Sequence, residues 1–446
     1  MTAISPLLTD LYEFTMMQGY VDHQMEQTAS FEFFIRRLPP ERNFLMAAGL
    51  QQVVEYLEDL SFSEDDISYL RSSGFFHERF LAYLQELRFT GDVQAMAEGT
   101  IFFPDEPILR VSAPLPLAQL VETRIINILQ FQSMIASKAA RIRLIEPKAM
   151  LMDFGLRRAH GAEAGLLAAR ASCLAGFDGT ATVEAGRLFG LPIFGTMAHS
   201  FIQAHDSEQE AFRHFAASQP DNVVFLIDTY DTIKGAQNVV ALAGELAAKN
   251  IPIKGVRIDS GDLVAGAFQV RKILDQAGLR EVKILLSSSL DEYSLAEITA
   301  AGAPVDGYGI GTKMITSADY AFLDCSYKLV EYAGTGRRKR SQGKETWPGR
   351  KQVFRQYDDQ GLLSKDCLTL DSDRLPGRPL LQPVMAEGQP LAQLPDLESC
   401  REHARAELAS LPESMRTIEQ VPLPELEIAP ALLRLTREVD QESAGG

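Results

Sequence analysis

The hydrophobic positions follow two different patterns along the chain. Up to about residue 115, segments with helical periodicity, such as LLTDLYEFTMMQGYV, alternate with segments that have strand periodicity, such as FEFFIRRL. Around Pro116 a longer apolar stripe begins, which predicts one long helix that leads into the next domain. The first part of the chain is therefore predicted to be a mixed α/β domain.

From Lys148 onward the pattern is regular, because short and continuously apolar runs alternate with amphipathic helical segments. The apolar runs are KAMLMDF, LPIF, NVVFLI, IPIKGVRI, VKILL and VDGYGI. Strands that are apolar on both faces are typical of a parallel sheet covered by helices. Their alternation over about 180 residues favours an irregular (β/α) TIM-like barrel over an open sheet.

These patterns predict three parts of the chain. Residues 1–145 form an N-terminal α/β domain with its connecting helix, and residues 146–335 form the barrel. Residues 336–446 form a C-terminal segment that is rich in proline and leucine from residue 360, and we expect it to pack on the N-terminal domain and complete it.

The charge balance narrows the choice of partners. The chain has 60 acidic and 43 basic residues, a formal net charge of −17. Because nucleic-acid binding needs a basic footprint, this balance argues against nucleic acid as a partner. A small anionic substrate remains compatible, since a local basic pocket can concentrate positive potential inside an acidic protein.

The cysteines and the apolar runs indicate the compartment. The four cysteines are too far apart for a zinc motif or a disulfide framework, which favours reduced thiols: Cys173, Cys325, Cys367 and Cys400. We find no secretory leader and no apolar run long enough to span a bilayer. The sequence therefore predicts a cytoplasmic protein without a membrane partner.

Polar, glycine-containing segments follow the predicted strands, namely DFGLRR, GTMAHS, DTYDT, RIDSGD, SSSLDE and GYGIGTK. In (β/α) barrels the carboxyl ends of the strands share one mouth, and the active site lies there. We therefore expect these segments to form one site. His199 in GTMAHSFI has no second metal ligand at zinc spacing, which leaves a proton carrier, a nucleophile or a satisfied structural histidine.

Two of these segments suggest specific ligands. The glycines of GYGIGTK, with Thr312 and Lys313, could bind a phosphate, or could form a tight turn with positive φ. In RIDSGD, Arg257 and Asp259 lie on one face of the strand, so Asp259 could bind sugar hydroxyls or form an internal ion pair with the arginine. Asp262 is a possible Mg²⁺ ligand.

The remaining segments add an aromatic face and further charges. Phe154 could stack on a ring or lie in the core, and Arg157 and Arg158 could bind anions. Asp228 and Asp231 could serve a structural role or bind a metal ion, and we interpret them as structural. Together the segments favour nucleotide or phosphoribosyl chemistry. An aldolase or isomerase acting on a sugar phosphate is the alternative, but it would need a lysine or an acid–base pair at the strand ends.

The motifs together resemble a known family. LLTDLYEFTMMQGY, FEFFIRRLP, DFGLRRAHG, GFDGTATVEAGRLFG, GTMAHSF, DTYDT, GVRIDSGDL, GYGIGT and PGRKQVFR are similar, in this order, to the nicotinate phosphoribosyltransferases. The resemblance extends from Leu7 to about Arg355. It implies a dimeric type II phosphoribosyltransferase that joins nicotinate to phosphoribosyl pyrophosphate, forming nicotinate mononucleotide for NAD salvage. It also implies Mg²⁺ as cofactor and ATP hydrolysis coupled through a phosphohistidine at His199.

The resemblance assigns further roles by position. Phe154 and Tyr12, the latter from the partner subunit of a homodimer, would sandwich the pyridine ring, and Arg257 with Thr196 would face the carboxylate. Catalysis would involve His199, Arg257 and Asp259. The phosphoribosyl group and its phosphates would be bound by Arg157, Asp259, Gly309, Gly311, Thr312, Ser326, Lys328 and Arg36.

One position bears on the choice of substrate. Nicotinamide-using relatives carry an aspartate where this chain has Ala181, and an aspartate would repel the nicotinate carboxylate. Alanine therefore favours nicotinate over nicotinamide. The alternatives are a nicotinamide phosphoribosyltransferase, a quinolinate phosphoribosyltransferase and a catalytically silent homologue that senses a ligand.

Overall fold

The computed structural model describes residues 5–442. Contacts divide the chain into two compact units: the first combines residues up to Ser137 with those from Phe322 onward, and the second spans Lys138–Ala321. The limits expected at 145 and 335 followed the ends of the sequence patterns. The contacts instead divide the chain within the helix Glu122–Ile145 and just before the strand Cys325–Tyr332.

The first unit is built on a seven-stranded antiparallel sheet. Its third strand in spatial order, Thr28–Ile35, contains the FEFFI part of the FEFFIRRL segment, and all but its first residue are buried. The buried Glu32 on this strand forms ion pairs with Lys351 at 2.7 Å and Arg110 at 3.7 Å. In spatial order the strands are Thr335–Gly336, Cys325–Tyr332, Thr28–Ile35, Leu109–Pro114, Asp92–Ala95, Gln382–Ala386 and Gln389–Pro390.

Helices and two smaller sheets complete the first unit. The smaller sheets consist of Arg378–Pro379, Lys351–Tyr357, Leu363–Leu370 and Leu426–Ile428, and of Leu45–Met46 with Ile101–Phe102. The helices are Leu11–Asp22, Leu50–Glu58, Glu64–Ser72, Glu78–Glu86, Leu115–Leu120, Leu397–Ser410 and Pro430–Glu442, with a 3₁₀ turn at Glu413–Met415.

The long helix expected around Pro116 is two helices. Leu115–Leu120 ends at Val121, and Glu122–Ile145 follows. An apolar stripe that continues across a one-residue break cannot reveal that break, because both helices are buried along it. In the described part of the chain, no helix is long and apolar enough to cross a membrane.

The second unit contains a parallel sheet of six strands. In spatial order they are Gly179–Thr180, Met150–Asp153, Gly307–Ile310, Lys283–Ser287, Gly255–Ile258 and Val224–Leu226. The helices between them are Ala162–Leu174, Val183–Phe189, His199–Gln203, Glu208–Ser218, Thr232–Ala248, Leu263–Gln276, Glu292–Ala300 and Thr312–Ile315, with a 3₁₀ turn at Leu156–Arg158. The unit is thus mixed α/β with parallel strands.

The strand expected at LPIF is only a single bridge between Thr180 and Ile193. Pro192 has no N–H and cannot donate to a ladder, although its carbonyl accepts a hydrogen bond from Thr180 N at 3.0 Å. The segment 191–197 nevertheless lies between the two edges of the sheet. On the far side, the carbonyl of Gly195 accepts a hydrogen bond from the side chain of Asn222 at 2.8 Å.

Candidate active site

The second unit encloses a cavity of about 440 Å³ along the parallel strands. Its middle is apolar, formed by Met152, Val224 and Leu285 with flanking phenyl rings. Polar groups line it toward both ends of the strands. Its walls comprise Met150, Met152, Phe154, Phe194, Gly195, Thr196, Asn222, Val224, Ile253, Lys254, Arg257, Glu281, Lys283 and Leu285.

Arg257 is one of three basic residues that line this cavity, with Lys254 and Lys283. Its Nη1 donates to Thr196 Oγ1 at 2.9 Å and its Nη2 to the Met197 carbonyl at 3.0 Å. Its Nε is buried and has no hydrogen-bond partner among the described residues. Burial lowers the pKa of the guanidinium, while Asp259 and Asp228 oppose that shift. An anionic ligand in the cavity would satisfy the guanidinium.

Phe154 follows the strand Met150–Asp153, and its ring packs closely against the neighbouring strand Gly307–Ile310. A Cβ added at Gly309 would lie 2.5 Å from the Phe154 ring, and one added at Gly311 would lie 2.9 Å from the Phe154 carbonyl oxygen. Both positions therefore require glycine for close approach. Neither residue has a positive φ, so the tight-turn reading of GYGIGTK is wrong.

His199 is the first residue of the helix His199–Gln203, and its side chain is 39% exposed. Nδ1 lies 3.1 Å from Thr229 Oγ1, and Nε2 lies 3.7 Å from Asp259 Oδ2. Among residues 5–442, no group of three or more histidine, cysteine, aspartate or glutamate side chains could hold a metal ion. The imidazole is therefore oriented by Thr229, with Nε2 beside a carboxylate.

Two carboxylates beside His199 are linked through the backbone. Asp228 Oδ2 accepts hydrogen bonds from Asp259 N at 2.9 Å and from Ser260 Oγ at 2.5 Å. Ser287 donates to Asp259 Oδ1 at 2.5 Å. Asp228 Oδ1 is buried without a hydrogen-bond partner in the described residues. Asp228 therefore holds the RIDSGD turn in place and keeps one oxygen available.

The other two aspartates of these segments act as helix caps. Asp262 Oδ1 accepts from Ala265 N at 2.9 Å at the start of Leu263–Gln276. Asp231 Oδ1 accepts from Lys234 N at 2.7 Å at the start of Thr232–Ala248. Capping accounts for both side chains without a metal ion.

Further predicted residues of the second unit lie at the ends of strands. Arg157 is exposed in the 3₁₀ turn Leu156–Arg158, close enough to Arg257 to lower the pKa of that guanidinium. Thr312 is exposed at the start of Thr312–Ile315. The neighbouring Lys313 is not free for a ligand, because its Nζ lies 2.6 Å from Asp291.

The remaining predicted residues belong to the first unit. Arg36, just after the strand Thr28–Ile35, donates a hydrogen bond to Ser326 Oγ on the adjacent strand Cys325–Tyr332. Lys328 Nζ lies 3.5 Å from Glu122 Oε1. Tyr12 is 45% exposed. Burial is the main cause that raises the pKa of the Tyr12 phenol. The negative charges of Glu122 and of the adjacent Glu13 raise it further. The predicted site residues therefore fall into two groups, one in the first unit and one in the second.

Sequence reasoning missed two residues of the cavity region. Phe194 lines the cavity beside Phe154, but it was interpreted as part of the strand LPIF. Asp153 ends a buried strand and is completely buried, but a role was assigned from the sequence only to its neighbour Phe154. An aspartate at the end of an apolar run was a usable signal, because a buried carboxylate needs specific partners.

Two family models match most of the chain. The model of the nicotinate phosphoribosyltransferase N-terminal domain matches residues 7–130, and the model of the nicotinate phosphoribosyltransferase family matches residues 149–346. Nicotinate phosphoribosyltransferase pncB2 of Mycobacterium tuberculosis is 47% identical over 417 residues, 93% of this chain and 89% of that protein.

Two more relatives extend the likeness. Nicotinate phosphoribosyltransferase of Bacillus subtilis is 43% identical over 357 residues, 78% of this chain and 72% of that protein. The crystal structure of human nicotinic acid phosphoribosyltransferase matches with a TM-score of 0.88 at 30% identity, covering 97% of this chain and 100% of that one. Both family models and full-length relatives therefore agree with the motifs, and the chain belongs to the nicotinate phosphoribosyltransferase family.

Proposed function

We propose that this protein transfers the phosphoribosyl group of phosphoribosyl pyrophosphate to nicotinate, forming nicotinate mononucleotide and pyrophosphate for NAD biosynthesis. The observation that carries this proposal is the cavity, which is lined both by Arg257, with its unpartnered Nε, and by the Phe154 ring. A flat aromatic carboxylate matches both features. Membership of the family supports the same reaction.

Nicotinate binds with its ring against Phe154 and its carboxylate toward Arg257 and Thr196. Ring stacking contributes about 0.5–1.5 kcal/mol beyond the burial of apolar area. A charge-assisted hydrogen bond to the guanidinium then fixes the carboxylate. Ala181 is exposed at the end of the adjacent strand and offers no acceptor for a carboxamide, so nicotinate is preferred over nicotinamide.

The reaction needs no general base on the protein. The pyridine nitrogen attacks the anomeric carbon with its own lone pair while the bond from that carbon to pyrophosphate breaks. The transition state resembles an oxocarbenium ion, and the departing pyrophosphate gains negative charge that cations must offset. Asp259 faces the ribose hydroxyls, while Arg157, Gly309, Gly311 and Thr312 bind the 5-phosphate.

The residues beside His199 fit a magnesium ion. Asp228 Oδ1 is buried without a partner in the described residues, and Asp228 Oδ2 accepts a hydrogen bond from the backbone N–H of Asp259 at 2.9 Å, which keeps the two residues together. Oxygen donors of this kind are what Mg²⁺ prefers, and we assign these two carboxylates to it in place of Asp262. When bound, the ion offsets charge on the pyrophosphate.

His199 is the proposed acceptor of a phosphoryl group from ATP. With Nδ1–H donating to Thr229, Nε2 carries the lone pair and can attack the γ-phosphorus as ADP leaves. The new anion lies beside Asp259, where it redistributes the cations of the site. Hydrolysis of the phosphohistidine afterwards returns the imidazole to its starting form.

Two structural proposals accompany this reaction. The bridge at Ile193 and the hydrogen bond to Gly195 support closure of the six-stranded sheet into an irregular TIM-like barrel by segment 191–197. We also infer a homodimer in which Tyr12 of the partner subunit covers the pyridine ring. Arg36, Ser326 and Lys328 then supply positive charge and a hydroxyl for phosphates.

A product assay tests the reaction. Purified protein is incubated with phosphoribosyl pyrophosphate, Mg²⁺ and nicotinate, nicotinamide or quinolinate, with and without ATP, and nucleotides are separated by chromatography. We expect nicotinate mononucleotide from nicotinate in both conditions and more of it with ATP. Absence of that product with and without ATP would reject the proposal.

A further inference from the structure

Asp153 is a buried carboxylate without a cationic partner. It ends the strand Met150–Asp153 and is 0% exposed. Its Oδ1 accepts a hydrogen bond from Gly155 N at 2.8 Å, and its Oδ2 accepts one from the Thr180 hydroxyl at 2.7 Å. No ion pair of Asp153 occurs in the described part of the chain. A buried charge held by only two donors is costly and calls for a reason.

Each of these hydrogen bonds leads to a phenyl ring that lines the cavity. The bond to Gly155 fixes the turn that carries Phe154, whose own N–H donates to the Ile310 carbonyl at 2.9 Å. The bond to Thr180 fixes the residue whose carbonyl accepts from Phe194 N at 2.9 Å. One carboxylate therefore connects the two loops that present Phe154 and Phe194.

The same network holds the position that bears on substrate choice. Ala181 N donates to the Asp153 carbonyl at 2.8 Å, and Thr182 N donates to Thr180 Oγ1 at 3.0 Å. The hydroxyl of Thr180 thus donates to Asp153 and accepts from Thr182 at the same time. The Asp153 carboxylate therefore sets the orientation of this hydroxyl. The hydroxyl in turn sets the path of the backbone through position 181.

We propose that Asp153 is a positioning residue for the aromatic substrate, setting the separation of Phe154 and Phe194 and the place of Ala181 without touching the substrate. It does not line the cavity, so it acts only through these neighbours. The inference rests on the proposed function, since it takes nicotinate as the occupant of the cavity. It adds a residue that controls how well the cavity fits a planar ring.

The proposal implies a pH dependence. Burial raises the pKa of Asp153 to about 6, while the hydrogen bonds from Thr180 and Gly155 oppose that shift; no titratable or charged neighbour contributes. Protonation turns one carboxylate oxygen into a donor, which conflicts with the Thr180 hydroxyl or with the Gly155 N–H. Nicotinate affinity should therefore fall as the pH drops through about 6.

Asp153→Asn is the principal test, because asparagine keeps the shape and can accept at only one side-chain oxygen. We expect the KM for nicotinate to rise about tenfold, with the KM for phosphoribosyl pyrophosphate unchanged within about twofold. The fall in kcat/KM for nicotinate on the acid side should disappear. A merely structural defect would lower kcat through the inactive fraction and leave both KM values unchanged.

Thr180→Val and Thr180→Ser provide a matched pair that remains informative if Asp153→Asn does not fold. Valine removes the hydroxyl that lowers the pKa of Asp153, so the acid fall in kcat/KM should move to higher pH. Serine keeps the hydroxyl and should behave like the wild type. Measuring each variant against the wild type at every pH cancels the titration of nicotinate itself.

The outcomes separate the two levels of the proposal. A wild type that forms no nicotinate mononucleotide rejects the proposed function and this inference with it. An active wild type, together with a nicotinate KM and pH profile unchanged within about twofold in Asp153→Asn or in Thr180→Val, rejects only the positioning role. Loss of the acid limb in Asp153→Asn, together with its shift to higher pH in Thr180→Val, would support it.

Discussion

Arg257 and Thr196 are joined by a hydrogen bond of 2.9 Å from Nη1 to Oγ1, across the gap between the strand Gly255–Ile258 and segment 191–197. The bond leaves Nε as the one buried guanidinium nitrogen of Arg257 without a partner in the described residues. Because the arginine is already oriented before a ligand arrives, it loses little freedom on binding an anion. In the proposed function, substrate recognition therefore depends on a pre-formed cation in a cavity with an aromatic wall.

Removing the imidazole of His199 should separate ATP use from phosphoribosyl transfer. In His199→Ala we expect ATP to stimulate product formation no longer, while slow ATP-independent transfer continues, because the pyridine nitrogen needs no base. The measurement is the rate of nicotinate mononucleotide formation with and without ATP, together with release of ADP. His205→Ala, which removes a neighbouring imidazole bonded to the Phe201 carbonyl, is the control. Persistent ATP stimulation in His199→Ala would contradict the phosphohistidine.

A methyl group at Gly309 should displace the Phe154 ring. The added Cβ would lie 2.5 Å from the ring, so we expect Gly309→Ala to destabilise the protein by about 1–3 kcal/mol and to raise the KM for nicotinate. Thermal unfolding and steady-state kinetics measure the two effects. Gly266→Ala is the matched control, since its Cβ meets only Ile258 at 3.8 Å within a helix and should be neutral or slightly stabilising. Equal behaviour of the two variants would contradict the close packing of Phe154.

An aspartate at position 181 should impair nicotinate use. We expect Ala181→Asp to raise the KM for nicotinate, because the new carboxylate repels that of the substrate, and to leave the KM for phosphoribosyl pyrophosphate nearly unchanged. Ala181→Asn has similar size without the charge and should show a much smaller effect. Unchanged nicotinate kinetics in Ala181→Asp would remove position 181 from the explanation of substrate choice.

Glu13 should make the stability of the first unit depend on pH. Burial raises its pKa to about 7, opposed by a hydrogen bond from Gln119 at 2.9 Å and reinforced by the charge of Glu122. Below its unfolded pKa of 4.5 the group is protonated in both states. Between pH 4.5 and about 7 the unfolded state ionises while the folded state stays protonated, so stability falls as the pH rises, and the full cost is present above pH 7. After allowance for screening, Glu13→Gln should stabilise the protein by about 1–2 kcal/mol at pH 8 and by almost nothing at pH 4. Unfolding in urea at both pH values measures the difference; a gain equal at both would contradict the assignment.

The sequence predicted much of the second unit because its strands are buried on both faces. KAMLMDF, NVVFLI and VKILL correspond to Met150–Asp153, Val224–Leu226 and Lys283–Ser287. The segment LPIF has a similar apolar pattern, but Pro192 has no N–H to donate to a neighbouring strand. The strand expected there is only a bridge. Ile193 in this segment is 55% exposed, so the apolar pattern overestimated both burial and hydrogen bonding there.

The site was harder to predict where the contacts are distant along the chain. The polar segments identified Phe154, which directly follows the strand Met150–Asp153, Arg257, which lies within the strand Gly255–Ile258, and His199, which begins the helix His199–Gln203. The partner of Asp153, Thr180, lies 27 residues away, and no spacing rule connects them. The capping role of Asp262 was equally invisible until the start of its helix was known.

The most direct test of the account is the nicotinate dependence of product formation in the wild type and in Arg257→Lys, measured side by side. Lysine keeps the charge but cannot contact Thr196, Met197 and a carboxylate together, so the KM for nicotinate should rise on the order of 100-fold. Arg213→Lys, which alters an ion pair with Glu245 outside the cavity, is the control and should match the wild type. A wild type that forms no nicotinate mononucleotide, or an Arg257→Lys variant with the KM of the wild type, would contradict the account.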